Sequence, residues 1–171
     1  MPPLSQTRRR FLITSAMVGS AIAAPAKAGA KSDTFSFEVT RTETEWRAML
    51  TEEQFSVMRE GATELPQNGT LWKDYSAGEF LCRGCDLHVY SSDWRVELDK
   101  GWIFFAHSQP DAVMMGIDYA KDTSMDDSDE RTLIETHCRR CASHLGHIVY
   151  VDEQLVHCIN AASIVRVPQT T

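Results

Sequence analysis

Short apolar runs separated by polar turns occupy the chain from residue 79 onward, and this pattern predicts β-strands. Each run holds four or five apolar, β-branched or aromatic residues. Because no long helical repeat lies between the runs, the strands are expected to pair antiparallel. The predicted strands cover residues 79–82, 87–90, 102–106, 132–136, 148–151 and 155–159.

Two short helices are predicted before the strands. Thr51 and Gln54 have the spacing of a capping box, in which each side chain hydrogen-bonds the backbone N–H of the other residue. Gly61 is the expected end of that helix, since glycine readily adopts the left-handed conformation found there. Residues 44–50 could form a further short helix. The pattern therefore predicts a mainly β, α+β domain with helices on its N-terminal side.

Two polar segments are predicted to be loops. Residues 61–78 contain Pro66, Asn68-Gly69 and Ala77-Gly78, which are typical turn signals. Residues 120–130 are polar and acidic and are expected to form a solvated loop.

Composition and charge describe a soluble domain with an unusual N-terminus. The chain has 171 residues, 43% of them hydrophobic and 24% charged, which is the size and composition of one globular domain. The first 28 residues hold four basic groups and no acidic ones. The remainder holds 13 basic and 24 acidic residues. Such an acidic domain argues against nucleic acid or an anionic membrane as a partner.

The basic N-terminus has the parts of an export signal. The arginine pair at Arg8 is followed by Phe-Leu and a short apolar run, and an A-K-A cleavage pattern ends at Ala28. The arginine pair resembles a twin-arginine signal. The apolar run is shorter than the ~20 residues that span a bilayer, although an uncleaved N-terminal anchor is the alternative.

These features predict three regions and a location. Residues 1–28 would be a twin-arginine signal peptide, residues 29–43 a mobile N-terminal segment, and residues 44–168 the functional domain. The twin-arginine route implies export of the folded protein to the periplasm, with no membrane association after cleavage. Disulfides are stable in that oxidising compartment.

Four of the five cysteines form two pairs with C-x-x-C spacing. Cys82 and Cys85 form one pair, and Cys138 and Cys141 form the other, with 52 residues between the pairs. Two such pairs suit a structural zinc ion, which prefers four tetrahedral thiolates. Two disulfides are the alternative in an oxidising compartment.

The fifth cysteine, Cys158, lies in an apolar strand pattern. Free cysteine is among the most buried residue types, so a core position is one interpretation. A reactive thiol would need a nearby positive charge or histidine to lower its pKa. His144 and His147 are candidates for that role, and Asn160 would share the strand face of Cys158, whereas His157 would face the other way.

Several motifs, in order along the chain, resemble the type B methionine sulfoxide reductases. They are L-T-E-E-Q-F at 50–55, C-R-G-C at 82–85, G-W at 101–102, C-R-R-C-A-S-H-L-G-H at 138–147 and H-C-I-N-A-A-S at 157–163. The resemblance implies two antiparallel sheets, a structural Zn²⁺ on four cysteines and small peripheral helices. It also implies reduction of the R epimer of methionine sulfoxide to methionine.

The resemblance assigns roles to residues of this chain. Cys158 corresponds to the nucleophile that attacks the sulfoxide sulfur. His144 and His147 correspond to histidines that bind water and help to protonate the sulfoxide oxygen, and Asn160 to an asparagine that supports them. Trp102 corresponds to the tryptophan that packs on the methyl group of the substrate.

The chain departs from the family pattern around Trp102 and near Cys158. Phe105 survives as the last residue of the tryptophan motif and is predicted to contact substrate with Trp102. Lys100 stands where some relatives have a resolving cysteine, and Val156 stands where the family has an arginine that supports the charge of the nucleophile. The oxidised Cys158 would therefore need an external thiol, such as a thioredoxin-like protein.

Two other functions remain open at the level of sequence. The chain could be a non-catalytic zinc-stabilised β domain that binds oxidised methionine or a partner protein, which the altered tryptophan motif would favour. It could also be a thiol redox sensor that uses Cys158 alone. The retention of both histidines, Asn160 and Cys158 favours the reductase, whose partners would be oxidised proteins and a thiol reductant.

Overall fold

A computed structural model describes residues 35–118 and 133–169 of the chain. The predicted signal peptide at 1–28 and the acidic segment at 120–130 lie outside the described residues. Over the described ranges the chain forms two α-helices and nine β-strands. Neither of these helices is long and apolar enough to cross a membrane.

Both helices begin at a capping box. Helix α1 (Glu43–Met49) is capped by Thr42 and helix α2 (Glu52–Glu60) by Thr51, and in each case the third helical residue returns a hydrogen bond to the backbone of the cap. Helix α2 ends at Gly61, which has a φ of 77°. Both predicted helices are confirmed, and the predicted capping box and stop of α2 are confirmed with them.

The strands form two sheets in which every pairing is antiparallel. One sheet has three strands in the order β2-β1-β9, and the other has six in the order β3-β4-β8-β7-β6-β5. This architecture confirms the predicted mainly β fold with two antiparallel sheets. The strands are β1 (Gly78–Cys82), β2 (His88–Ser91), β3 (Arg95–Val96), β4 (Ile103–Phe105), β5 (Val113–Asp118), β6 (Leu133–Cys138), β7 (His144–Val151), β8 (Gln154–Ile159) and β9 (Ile164–Pro168).

The sequence pattern missed three strands and half of a fourth. Strand β3 has only two residues, β5 is interrupted by Gly116, and β9 ends in Pro168, so none of them reads as a typical apolar run. Strand β7 begins at His144 rather than at the predicted residue 148. The sequence His-Leu-Gly-His reads as a turn because glycine is depleted in strands.

The main core lies between the two sheets. Phe80 and Tyr90 from the small sheet meet Phe105 from the large sheet, and all three side chains are fully buried. The ring of Tyr90 stacks on that of Phe105 with centroids 4.4 Å apart. Helix α2 adds Phe55 and Met58 to this core. Burying each such side chain stabilises the fold by about 1.5–3 kcal/mol.

A smaller apolar cluster lies on the opposite face of the six-stranded sheet. Leu98, Phe104 and Val156 are buried in it, and the partly exposed Trp102 and Cys158 pack against them. Phe104 and Phe105 are neighbours in β4 and so point to opposite faces of the sheet. The large sheet therefore has an apolar cluster on each face, and Cys158 belongs to the smaller one.

An irregularity in β7 changes the face on which its first residues lie. Thr136 of β6 pairs with Gly146, but the next residue, His137, pairs with His144, so Leu145 is an extra residue on β7. Gly146 has a positive φ, and a side chain there would collide with the backbone carbonyl of Cys158. Only glycine permits this approach of β7 to β8.

The first described residues contact the two cysteine pairs. The N–H of Val39 donates to the carbonyl of Arg140, and the guanidinium of Arg41 donates to the carbonyl of Gly84. These residues belong to the segment 29–43 that was predicted to be mobile. Within the described residues this segment is thus attached to both cysteine turns.

Candidate functional site

The two C-x-x-C pairs form turns of the same kind. Cys82 ends β1 and Cys138 ends β6. In each turn the N–H four residues later, of Asp86 or Ala142, donates to the carbonyl of the first cysteine. Both donors have a positive φ, 58° and 60°. Equal spacing thus produces equal backbone geometry at two distant places in the chain.

The folded chain brings the two turns together. The Sγ atoms of Cys82 and Cys141 are 3.7 Å apart, and those of Cys85 and Cys138 are 3.4 Å apart. A tetrahedral ion with metal–sulfur bonds of about 2.3 Å separates its sulfur ligands by about 3.8 Å. All five cysteines of the chain are free thiols. The predicted four-cysteine cluster is therefore present in a geometry that could hold a metal ion, and the alternative of two disulfides is not what the structure has.

Arginine side chains surround this cluster. Arg59 donates to the carbonyl of Cys141 at 3.1 Å, and Arg140 donates to the carbonyl of Cys85 at 3.2 Å. Four thiolates around a divalent ion carry a net charge of −2, so nearby guanidinium groups offset that charge. The surroundings of the cluster therefore suit the net negative charge that four thiolates around one divalent ion would carry.

A row of side chains crosses the face of the six-stranded sheet that carries the smaller apolar cluster. Strand pairing places Glu135 of β6 opposite His147 of β7, His147 opposite Cys158 of β8, and Cys158 opposite Phe104 of β4. Residues directly opposite one another share a face, with Cβ atoms about 4.5–5.5 Å apart. The predicted nucleophile and one predicted histidine are therefore neighbours.

The extra residue in β7 brings His144 to the same place. His144 and His147 are three positions apart and would lie on opposite faces of a regular strand. With Leu145 inserted, their rings lie on one side with centroids 5.0 Å apart. Burial, followed by the proximity of His147 and His137, lowers the pKa of His144 to about 3. His144 is therefore neutral at physiological pH and can donate one N–H.

Cys158 lies in surroundings that favour its protonated form. Burial raises the pKa of Cys158 to about 12, and the carboxylate of Glu64 contributes further. Val156, which stands where the resemblance implies an arginine, is fully buried in the small apolar cluster. The structure thus places the predicted thiol opposite His147, in surroundings that keep it protonated.

Glu64 lies in the segment predicted to be a loop, and no sequence signal pointed to its role. Its buried carboxylate accepts from the N–H groups of Ala161 at 2.5 Å and Ala162 at 2.9 Å. Its own N–H donates to Oδ1 of Asn160 at 3.1 Å, and its carbonyl accepts from Nε1 of Trp102 at 3.2 Å. Glu64 thus holds Trp102, Asn160 and the turn after Cys158 in one arrangement.

Both the oxygen and the nitrogen of the Asn160 side chain form hydrogen bonds with backbone groups. Besides accepting from Glu64, its amide donates to the carbonyl of Leu145 at 3.2 Å, and its backbone N–H donates to the same carbonyl at 2.9 Å. The side chain is only 2% exposed. The predicted supporting asparagine therefore fixes the irregular start of β7, on which both histidines lie.

One predicted contact needs correction. Phe105, predicted to contact substrate, lies fully buried in the main core against Tyr90, on the face of β4 away from Cys158. The strand period explains the error, since Phe104 is the residue opposite Cys158. Lys100, which stands where the resemblance implies a resolving cysteine in some relatives, is exposed and forms an ion pair of 3.1 Å with Asp152.

Glu135 is a second residue that the sequence analysis missed. Its carboxylate lies 3.4 Å from Nδ1 of His144 and 2.9 Å from Nε2 of His137. A signal was present, because Glu135 and His137 alternate in a strand that leads directly to the second cysteine pair.

Comparison with known proteins agrees with this geometry. The model of the SelR domain matches residues 50–168. A peptide methionine sulfoxide reductase MsrB from Leptospira interrogans is 34% identical over 131 residues, which cover 75% of this chain and 95% of the relative. A protein of the same name from Bradyrhizobium diazoefficiens is 35% identical over 146 residues, covering 82% and 98%. Another, from Herminiimonas arsenicoxydans, is 35% identical over 131 residues, covering 74% and 90%.

The raised pKa of Cys158 predicts how its alkylation depends on pH. Because the thiolate is the nucleophile, the rate with iodoacetamide should rise about tenfold per unit between about pH 7 and 10 without levelling off. A peptide of residues 157–160, as control, should level off near its ordinary pKa of about 8.5. The measurement is mass spectrometry of the Cys158 peptide. A plateau near neutral pH in the folded protein would contradict the prediction.

Proposed function

The chain belongs to the SelR domain family, and from this premise we propose that it is a peptide-methionine (R)-S-oxide reductase. The observation that carries the proposal is the position of Cys158 directly opposite His147, with Trp102 packed against the same apolar cluster as Cys158 and the ring of His144 next to that of His147. A binding domain or a redox sensor would need no such combination of thiol, paired imidazoles and aromatic face.

Each residue of the site has a separate role in the proposed reaction. Trp102, held by Glu64, offers an apolar face to the methyl group of the substrate. The sulfur of Cys158 attacks the sulfoxide sulfur as the thiol proton passes to the imidazoles of His144 and His147, which deliver a proton to the sulfoxide oxygen. The sulfur–oxygen bond of the sulfoxide breaks, and the oxygen leaves with Cys158 as a sulfenic acid. The thiol loses two electrons, the sulfoxide sulfur gains them, and methionine is released.

An external thiol completes the cycle. The other four cysteines form the metal-type cluster, and Lys100 occupies the position of a resolving cysteine. A thiol of a thioredoxin-like protein or a small thiol attacks the sulfenic sulfur, and water leaves as a mixed disulfide forms. A second thiol then releases Cys158 and leaves the reductant as a disulfide. The substrates are oxidised proteins or peptides.

The activity can be tested with both epimers of a blocked methionine sulfoxide and dithiothreitol. The R epimer should be consumed and the S epimer left. Cys158→Ser should abolish turnover, and His147→Asn should lower kcat/KM by about 10²–10⁴-fold, as expected for the loss of a proton donor. The control His107→Asn alters an exposed histidine outside the site and should retain activity. If neither epimer is consumed, or if Cys158→Ser is active, the proposal is wrong.

We further propose that the four-cysteine cluster holds a structural Zn²⁺. The sulfur separations and the surrounding arginines support a four-thiolate site, and zinc in structural sites favours that ligand set. The ion would link the ends of β1 and β6, which are far apart in the sequence. Its role would be to hold the fold, because four thiolates leave no open position for chemistry.

The purified protein should contain one tightly bound zinc ion per chain, measured by elemental analysis after dialysis. Cys138→Ser should lose it, and the free energy of unfolding in urea should fall by at least about 3 kcal/mol, since zinc binding contributes directly to folding. Cys158→Ser is the matched control and should keep the ion. Zinc that is retained in Cys138→Ser would contradict the assignment.

We also propose that residues 1–28 direct the protein to the periplasm by the twin-arginine route. The arginine pair at Arg8, the following Phe-Leu and the A-K-A sequence ending at Ala28 support the proposal. A route that carries folded proteins suits a domain that binds zinc before export.

Cell fractionation tests this location. The wild-type protein should appear in the periplasm, shortened by about the length of the leader. Replacing Arg8 and Arg9 by Lys should retain it in the cytoplasm, whereas Arg10→Lys, one position beyond the pair, should still be exported. Export that survives loss of the pair would rule out the twin-arginine route.

A further inference from the structure

We propose that Glu135, His144 and His147 form a second metal site, which takes a divalent transition-metal ion such as Zn²⁺ and thereby inhibits the reductase. This Glu-His-His site is separate from the four-cysteine cluster. The inhibition, though not the binding, rests on the proposed function.

The backbone places the three side chains together. Glu135 is the cross-strand partner of His147, and the extra residue Leu145 brings His144 to the same face. One ligand atom from each of the three residues lies within 4.8 Å of the other two. Oε1 of Glu135 is 3.4 Å from Nδ1 of His144. Two ligand atoms at about 2.0–2.1 Å from a tetrahedral ion are about 3.3 Å apart. The distance between Glu135 and His144 therefore already fits such a site, and side-chain rotation can shorten the distances to His147.

His144 is a buried histidine whose ring nitrogens are available to bind a metal ion. It is 2% exposed, and neither ring nitrogen has a hydrogen-bond partner of good geometry among the described residues. A buried polar atom without a partner costs about 1–3 kcal/mol. A neutral imidazole offers one lone pair, and coordination to a cation satisfies it. The adjacent carboxylate supplies the negative charge that a divalent ion requires.

The surroundings of Glu135 resemble those of known metal-binding carboxylates. Its second oxygen, Oε2, is 2.9 Å from Nε2 of His137, a contact that orients the carboxylate. Such outer contacts tune metal affinity by about 10–100-fold. Gly116, on the neighbouring strand, has no side chain to cover Glu135. The carboxylate is 19% exposed, so an ion can reach it from solvent.

The donor set selects the class of ion. Two imidazole nitrogens and one carboxylate oxygen suit Zn²⁺, Cu²⁺ or Fe²⁺, whereas Mg²⁺ and Ca²⁺ prefer oxygen ligands alone. Three protein ligands leave one position open, unlike a closed structural site. Cys158 lies opposite His147 on β8 and is therefore a neighbour of the site, but it is not one of the three ligands.

Occupancy of the Glu-His-His site would stop turnover. The imidazole nitrogens of His144 and His147 that bind the ion are those that the proposed reaction needs for the sulfoxide oxygen. Excess zinc should therefore compete with substrate and raise KM. Removal of the ion by a weak chelator should restore activity, because the tighter four-thiolate ion would remain in place.

The experiment starts from full-length protein that already carries its four-cysteine ion. Equilibrium dialysis against Zn²⁺ should reveal a second equivalent in the wild type. Its affinity should fall at least about tenfold in Glu135→Gln, which keeps the shape and the contact with His137 but loses the charge. Glu153→Gln, in the exposed turn between β7 and β8, is the matched control and should bind as the wild type does. Co²⁺ added as the second ion should show no thiolate-to-cobalt charge-transfer band.

Each outcome is decisive for the site. A single zinc equivalent in the wild type, or an unchanged second equivalent in Glu135→Gln, would overturn the proposal. So would a second equivalent lost in Cys158→Ser but kept in Glu135→Gln, since the ion would then sit on the thiol. A second equivalent that leaves KM unchanged would overturn the inhibition. If the protein has no reductase activity, the proposed function fails, but the stoichiometry still tests the site.

Discussion

The close approach of β7 to β8 at Gly146 is the constraint on which the site depends. No side chain fits between Gly146 and the carbonyl of Cys158, and the extra residue Leu145 is held by hydrogen bonds from Asn160 to its carbonyl. This irregularity turns His144 to the face of His147. A regular strand would leave one of the two imidazoles on the far side of the sheet, away from the thiol. Backbone geometry rather than side-chain attraction thus brings the two imidazoles to the side of the sheet that carries the thiol.

Local sequence signals predicted the parts of this protein that depend on local physics. Capping at Thr51, the end of α2 at Gly61 and the four-cysteine cluster follow from spacing alone and are present in the structure. Phe105 was predicted to contact substrate but packs in the main core, because the pairing of β4 with β8 places Phe104 opposite Cys158. Glu64 could not be found, since its contacts join segments about a hundred residues apart and leave no periodic pattern.

Cys158 is well placed within the site, but its surroundings do not favour ionisation of its thiol. An apolar cluster raises its pKa, and the nearby buried carboxylate of Glu64 adds to that effect while holding Trp102 and Asn160 in place. The same residue therefore orders the site and opposes ionisation of its nucleophile. Because the thiolate is the reactive form, a thiol that stays protonated at rest is also less open to indiscriminate oxidation.

The exposed ion pair between Lys100 and Asp152 has a kinetic consequence. If Lys100 stands where a second thiol would be needed, as proposed, the oxidised form of the enzyme would have no unimolecular route back to its starting state. Its lifetime is then inversely proportional to the concentration of thiols around it. The fraction of molecules ready for a new substrate would thus follow the reducing capacity of the compartment, and repair would slow first where reductant runs short.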